Sequence, residues 1–156
     1  MTKFVNTPPF AQLPKIVPIF PLTGTLLLPG AQLPLHIFEE RYCDLVSDSL
    51  ASTRIFGMIQ PLDSKADEAT PSLYNIGSVG RIVAFRETED GRYYITLHGI
   101  CRFKSCGEVF TPKTYREIDV DYAPFGTDLE SEESDKKLLD RSTLIPALKR
   151  FLSLYD

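Results

Sequence analysis

Gly80-Arg81-Ile82-Val83-Ala84-Phe85-Arg86 and Arg92-Tyr93-Tyr94-Ile95-Thr96-Leu97 flank the connection Glu87-Thr88-Glu89-Asp90-Gly91. Both flanks are rich in β-branched and aromatic side chains, which suit a pleated, half-buried surface. The Asp-Gly pair between them supplies the left-handed backbone that a tight reversal demands. This hairpin is the strongest structural signal in the chain, and it predicts a mostly β fold built outward from residues 80–97.

Downstream, a third strand is expected from Ile100 through Phe110, with Gly99 and Gly107 as bends or bulges. The stretch Tyr115 to Tyr122 alternates, with Tyr115, Glu117, Asp119 and Asp121 on one face and Arg116, Ile118, Val120 and Tyr122 on the other, which is the core side. Upstream, Ile55-Phe56-Gly57-Met58-Ile59 is a short apolar strand buried on both faces. Before it, Phe38, Tyr42, Leu45, Val46 and Ser49 recur with helical period, so a helix is expected from near Phe38 to Ser52. Glu39 and Glu40 fall in its first turn, where carboxylates meet the positive end of the helix dipole.

Lys15 to Leu22 is a β-branched and aromatic run whose Pro18 and Pro21 confine it to a sheet edge or to a strand with a break. Leu26-Leu27-Leu28-Pro29-Gly30 is apolar and ends in a turn, and Leu33 to Ile37 is extended. Many short strands with one early helix predict a small β-barrel, because closure removes exposed sheet edges. The organisation expected is an extended leader over 1–15, a barrel domain over 16–125, and an acidic linker with the start of a helical segment over 126–156. Pro61 to Ser72 reads as an exposed, mobile connection. The last helix is expected over Thr143 to Tyr155, with Leu144, Leu148, Phe151 and Tyr155 on one face and Pro146 in a first turn capped by Ser142 or Thr143. Its wide apolar face calls for a partner, either a further helix or a second copy of the chain.

Composition bounds the function. The 156 residues suit one core, and twelve prolines oppose long helices through most of the chain. A net charge of −4 argues against a nucleic-acid binder. Three cysteines cannot all pair within the chain, which points to a reducing compartment. The most apolar stretch, Ile16 to Pro29, is broken by Pro18, Pro21 and Gly24, so it cannot span a bilayer as a helix. A soluble, cytoplasmic protein is expected.

Five blocks, taken together, resemble a known family: Pro18-Ile19-Phe20-Pro21-Leu22, Leu27-Leu28-Pro29-Gly30, the run Pro34 to Tyr42, the run Ile76 to Ile82, and the run Leu97 to Phe103. In this order they look like the amino-terminal substrate-binding domain of Lon proteases, in its stand-alone form. The resemblance spans residues 15–122. It implies a PUA-like β-barrel followed by helices, and recognition of polypeptide substrates without the ATPase and Ser-Lys peptidase parts of those enzymes. Relatives usually continue into more helices, so the chain is expected to be a truncated piece whose last helix lacks its packing partner.

Other chemistries fit the residues less well. Gly99 to Ser105 lacks the second glycine of a phosphate-binding loop and reads as a strand. His98 and Cys101 fall on opposite strand faces and no Cys-x-x-Cys turn is present, so His98, Cys101, Cys106, Cys43 and His36 are not read as metal ligands. His36 between Leu35 and Ile37 reads as structural, and Glu39 and Glu40 as a helix start paired with Arg41. No catalytic, cofactor or metal residue is assigned. The candidate polypeptide-binding surface is Leu26, Leu28, Phe38 and Tyr42, within or beside an apolar, proline-rich segment that a small barrel cannot bury completely. The alternatives are an RNA-binding barrel, using Arg81, Arg86, Arg92, Arg102 and Lys104 among Phe85, Tyr93, Tyr94 and Phe103, or an assembly domain.

Overall fold

The computed structural model describes residues 12–63, 70–130 and 141–153. Its strands are β1 (Ile16–Pro21), β2 (Gln32–Ile37), β3 (Ile55–Ile59), β4 (Ile76–Glu87), β5 (Tyr93–Val109) and β6 (Glu117–Asp121). Helix α1 (Glu40–Leu50) joins β2 to β3, a 3-10 helix (Ala123–Leu129) follows β6, and α2 is helical over Arg141–Leu152. The expected leader and acidic segment, and Tyr155, lie largely or wholly outside the described residues, as do residues 64–69 of the expected connection.

The Asp-Gly hairpin is the spine of the fold. β5 pairs with β4, β4 with β3, β3 with β1, β1 with β6, and β6 returns to β5. That circuit closes a small barrel, with β2 added along the first half of β5. The third strand expected from Ile100 is not separate: β5 runs 17 residues through Gly99 without interruption. The bend or bulge expected at Gly99 is a register shift within that continuous strand. Ile100 is the extra residue, since Val79 pairs with Cys101 and Gly80 with Gly99. A second shift, between Ser105 and Gly107, coincides with a φ of 129° at Gly107.

β1 is not an edge strand. It meets β6 at Ile16, Val17 and Pro18, then β3 at Ile19, Phe20 and Pro21. Pro18 sits where one partner hands over to the other, so its missing donor interrupts neither ladder.

Two buried clusters result. Val17, Ile19, Ile55, Ile59, Val79, Cys101, Phe103, Ile118 and Val120 fill the space enclosed by the closed circuit. Phe103 is wholly buried there, and the space for its ring comes from two glycines. A Cβ on Gly57 would sit 3.0 Å from that ring and one on Gly77 2.5 Å from it. The second cluster lies between α1 and the sheet: Phe20, Phe56 and Met58 meet Ile37, Ile82, Ile95 and Leu97 beneath Tyr42, Leu45 and Val46. α1 buries the face its periodicity predicted, but Phe38 is not in it, because the N-cap is Glu39. Ile118, Val120 and Tyr122 are core as expected, whereas Tyr115 and Glu117, expected on the open face, are also buried. Tyr115 reaches the α1 cluster and donates its hydroxyl to Asp48 at 2.6 Å. Pro146 lies inside α2 rather than in a first turn capped by Ser142 or Thr143, because the helix already includes Arg141. Leu144, Ile145 and Leu148 are about half exposed along it.

Gly99 is the tightest backbone approach in the barrel wall: a Cβ there would lie 2.0 Å from the Leu28 carbonyl oxygen. Gly99→Ala is expected to lower unfolding stability by about 1–3 kcal/mol or to displace the Leu28 backbone. Gly126→Ala, which meets open space, should be nearly neutral. Urea denaturation of the two variants beside the wild type checks the contrast.

Candidate functional site

The apolar segment between β1 and β2 becomes a strap across the barrel wall. Gly24 and Gly30 bracket it with φ values of 72° and 77°, left-handed turns that other residues adopt at a cost. Its far end is tied to β5: Gly30 N–H donates to the Gly99 carbonyl at 2.9 Å, and Gly99 N–H to the Ala31 carbonyl at 2.8 Å. At the near end Gln60 Nε2 donates to the Thr25 carbonyl at 3.3 Å. Between these ties Leu27 is driven into the α1 cluster and is only 2% exposed. The space is again made by glycine, since a Cβ on Gly80 would lie 2.8 Å from the Leu27 side chain.

Burial of Leu27 turns its neighbours outward. Leu26 is 69% exposed and Leu28 54%. Leu26 borders a groove of about 460 Å³, along with Met58, Gln60, Tyr74, Ile76 and Arg102. Tyr74 and Ile76 are themselves half exposed, so the rim is apolar on both sides. Of the four residues singled out from sequence, Leu26 and Leu28 are both exposed on the strap, and Leu26 borders the groove. Phe38 is 60% exposed but stands at the far end of β2, beside the His36 ring at 5.6 Å. Tyr42 is core: it is 7% exposed, packs on Phe20 at 4.3 Å between ring centroids, and burial raises the pKa of its phenol. Helical phase put Phe38 and Tyr42 on one face, and that phase fails because Phe38 precedes the helix. Tyr74 and Ile76 were missed, since they flank a polar connection and only the fold brings them to Leu26.

Of the basic and aromatic residues of the RNA reading, Arg81, Arg86 and Tyr94 share one sheet face, and the rest do not join them. Tyr93 and Phe103 are buried. Arg92 pairs with Asp90 at 3.0 Å. Arg102 is held by Asp128 through Nε at 2.9 Å and Nη2 at 2.8 Å, and lies over the Phe125 ring. These bonds, with the Arg102 backbone N–H, hold the Asp128 carboxyl below the usual carboxylate range. Among nucleophile candidates, burial pushes the Cys101 thiol up to about 12, which keeps it protonated and inert. Glu39 pairs with Arg41 at 3.0 Å, the structural role expected of it. Among the described residues, no group of three His, Cys, Asp or Glu could hold a metal ion, and no helix is long and apolar enough to cross a membrane.

A small closed barrel, backed by α1 and carrying an exposed apolar strap, is the class of domain these residues build. Residues 16–155 match the ATP-dependent protease La (LON) substrate-binding domain, and the chain belongs to that family. It is 27% identical over 122 residues to Lon protease 2 of Myxococcus xanthus, covering 78% of this chain and 15% of that protein. It is 30% identical over 110 residues to Lon protease of Flavobacterium johnsoniae, covering 70% and 13%. A crystal structure of a Lon N-terminal domain protein from Xanthomonas campestris superposes with a TM-score of 0.55 at 32% identity, over 68% of this chain and 58% of that one. The N-terminal domain of Mycobacterium avium complex Lon protease shares the fold, with a TM-score of 0.54 at 17% identity, over 69% and 54%. The chain thus spans about a seventh of the curated relatives it matches.

The Asp128 pairing makes a prediction about pH. A carboxyl whose folded pKa is depressed contributes stability above its unfolded pKa of about 3.9, and loses it as pH falls through the folded value. Asp128→Asn is therefore expected to cost roughly 1–3 kcal/mol at pH 7, with the gap from wild type closing below about pH 4. Denaturant titrations across pH 2.5–7 would check this; a gap independent of pH would contradict it.

Proposed function

We propose that this chain is a polypeptide-binding module that captures unfolded or partly folded segments for proteolysis in the cytoplasm, without catalysing a reaction itself. The observation that carries this reading is the strap: one leucine is locked into the core so that the two beside it stand in solvent. Apolar side chains held out in this way offer non-directional burial, which suits substrates that share no sequence. The adjoining groove, rimmed by Tyr74 and Ile76, extends that surface. Family membership supports the same reading, and delivery to a protease is its natural extension. The charge pattern favours a polypeptide over RNA, since Arg92 and Arg102 are already neutralised by carboxylates.

Leu26→Asp and Leu28→Asp should fold normally, because both side chains are exposed, and should weaken binding of a permanently unfolded protein such as reduced, alkylated lactalbumin. Burial of one leucine contributes about 1.5–3 kcal/mol, so a loss of roughly tenfold or more per substitution is expected in fluorescence anisotropy. Absence of binding by the wild type, or undiminished binding by both folded variants, overturns the proposal.

Self-association is a second reading, supported by the half-exposed Leu144, Ile145 and Leu148 on α2. It predicts a sedimentation coefficient that rises with concentration and stays constant in Leu148→Glu.

A further inference from the structure

A second exposed surface lies on the outer face of β2, β5 and β4, away from the strap. Register places three cross-strand rows there: Gln32–His98–Arg81, Pro34–Thr96–Ala84 and His36–Tyr94–Arg86. These rows contain two arginines, the exposed Arg86 and the half-buried Arg81, and no carboxylate. That makes them a locally cationic face on a protein whose net charge is −4. Proline, threonine and alanine form the middle row, and a shallow depression of about 470 Å³ opens over Pro34, Ala84 and Thr96, walled by Tyr94 and Arg86.

The wall has a particular electrostatic character. The His36 ring stacks on Tyr94 at 4.4 Å with 7° between planes, and the Arg86 guanidinium lies over the same ring at 5.0 Å. Since β5 runs between β2 and β4, these neighbours approach Tyr94 from opposite sides. Both ring faces are therefore covered, and what Tyr94 offers is its edge, the positive rim of the aromatic quadrupole. A nucleobase needs an open ring face on which to stack, and Tyr94 has none. A carboxylate needs edges and N–H donors, which Tyr94 and Arg86 present together. An apolar side chain beside that carboxylate finds the depression.

We propose that this face is a docking site for an extended polypeptide segment in which an apolar or aromatic residue adjoins an acidic one. It rests on the polypeptide-binding reading but adds what the strap lacks, a charge preference. The leucines of the strap distinguish apolar from polar chain, whereas Arg86 distinguishes acidic from basic flanks.

The test titrates the isotope-labelled full chain with two short peptides, each carrying one phenylalanine, flanked by aspartates in one and by lysines in the other. The aspartate peptide should shift the Ala84 and Thr96 amides and bind about fivefold tighter than its lysine counterpart, the scale of one exposed ion pair. Arg86→Gln should abolish the preference and Arg86→Glu invert it, with Leu26→Asp leaving it intact. Arg86 is exposed, so neither substitution disturbs the core. Equal affinity for the two peptides, a preference that survives both Arg86 variants, or shifts confined to Ile76 and Gly77 would overturn the proposal. So would oligo-uridine shifting Ala84 and Thr96 in place of either peptide. Failure of the unfolded protein to bind, with the peptide preference retained, would reject the strap reading alone.

Discussion

The structure depends on a close approach of backbone to backbone, where the strap between β1 and β2 lies against Gly99 and Gly80. No residue with a Cβ fits at Gly99 without moving the Leu28 carbonyl. The mutual bonds of Gly30, Ala31 and Gly99 then fix the register in which β2 joins β5. That register decides which side chains of β2 reach the α1 cluster and which face solvent. One contact therefore sets Leu27 inside, Leu26 and Leu28 outside, and the cationic rows on the outer sheet face. Local rigidity at the strap is what converts an apolar sequence into an oriented apolar surface.

Glycine serves the interior in a complementary way. Gly57 and Gly77 leave space in the barrel wall for the Phe103 ring, which spans the interior that small side chains could not fill. Close packing of this kind resists any change of volume. The aromatic ring and its β-branched neighbours complete the packing of the interior. The polar anchor is outside the wall, where Asp128 on the 3-10 helix clamps Arg102 of β5.

Much of this architecture was legible in the residues because it is local. The Asp-Gly hairpin, the helical period of Tyr42, Leu45, Val46 and Ser49, and the alternation of Ile118, Val120 and Tyr122 are each written within a few turns or pleats. Errors arose where the deciding partner is remote. Ile100 looked like the start of a separate strand because the pairing of β5 with β4 that continues across Gly99 is a tertiary event. Pro18 suggested an edge because the exchange of β6 for β3 at that point is a tertiary event. Phe38 was assigned to the helix because nothing nearby marks Glu39 as the cap: its side chain makes no capping bond. The Arg102–Asp128 pair, 26 residues apart, leaves no pattern at all in sequence.

The same division governs the candidate surfaces. Leu26 and Leu28 stood out because an apolar run closed by Pro-Gly is conspicuous, yet sequence could not say which leucine is anchor and which is display. Tyr42 was placed on the surface for the same lack, and the structure gives it to the core. Exposure is a property of the anchor's partner, here Gly80, rather than of the displayed residue. The outer face of β2, β5 and β4 is a sharper case: His36, Tyr94 and Arg86 come from three strands and meet only through register. An apolar strap can bind many chains, but it has little power to choose among them, because hydrophobic burial carries no direction and no sign. Discrimination requires a charge held in fixed geometry. On the docking proposal, the sandwich around Tyr94 supplies it, at a place where no carboxylate of the same rows competes for the guanidinium.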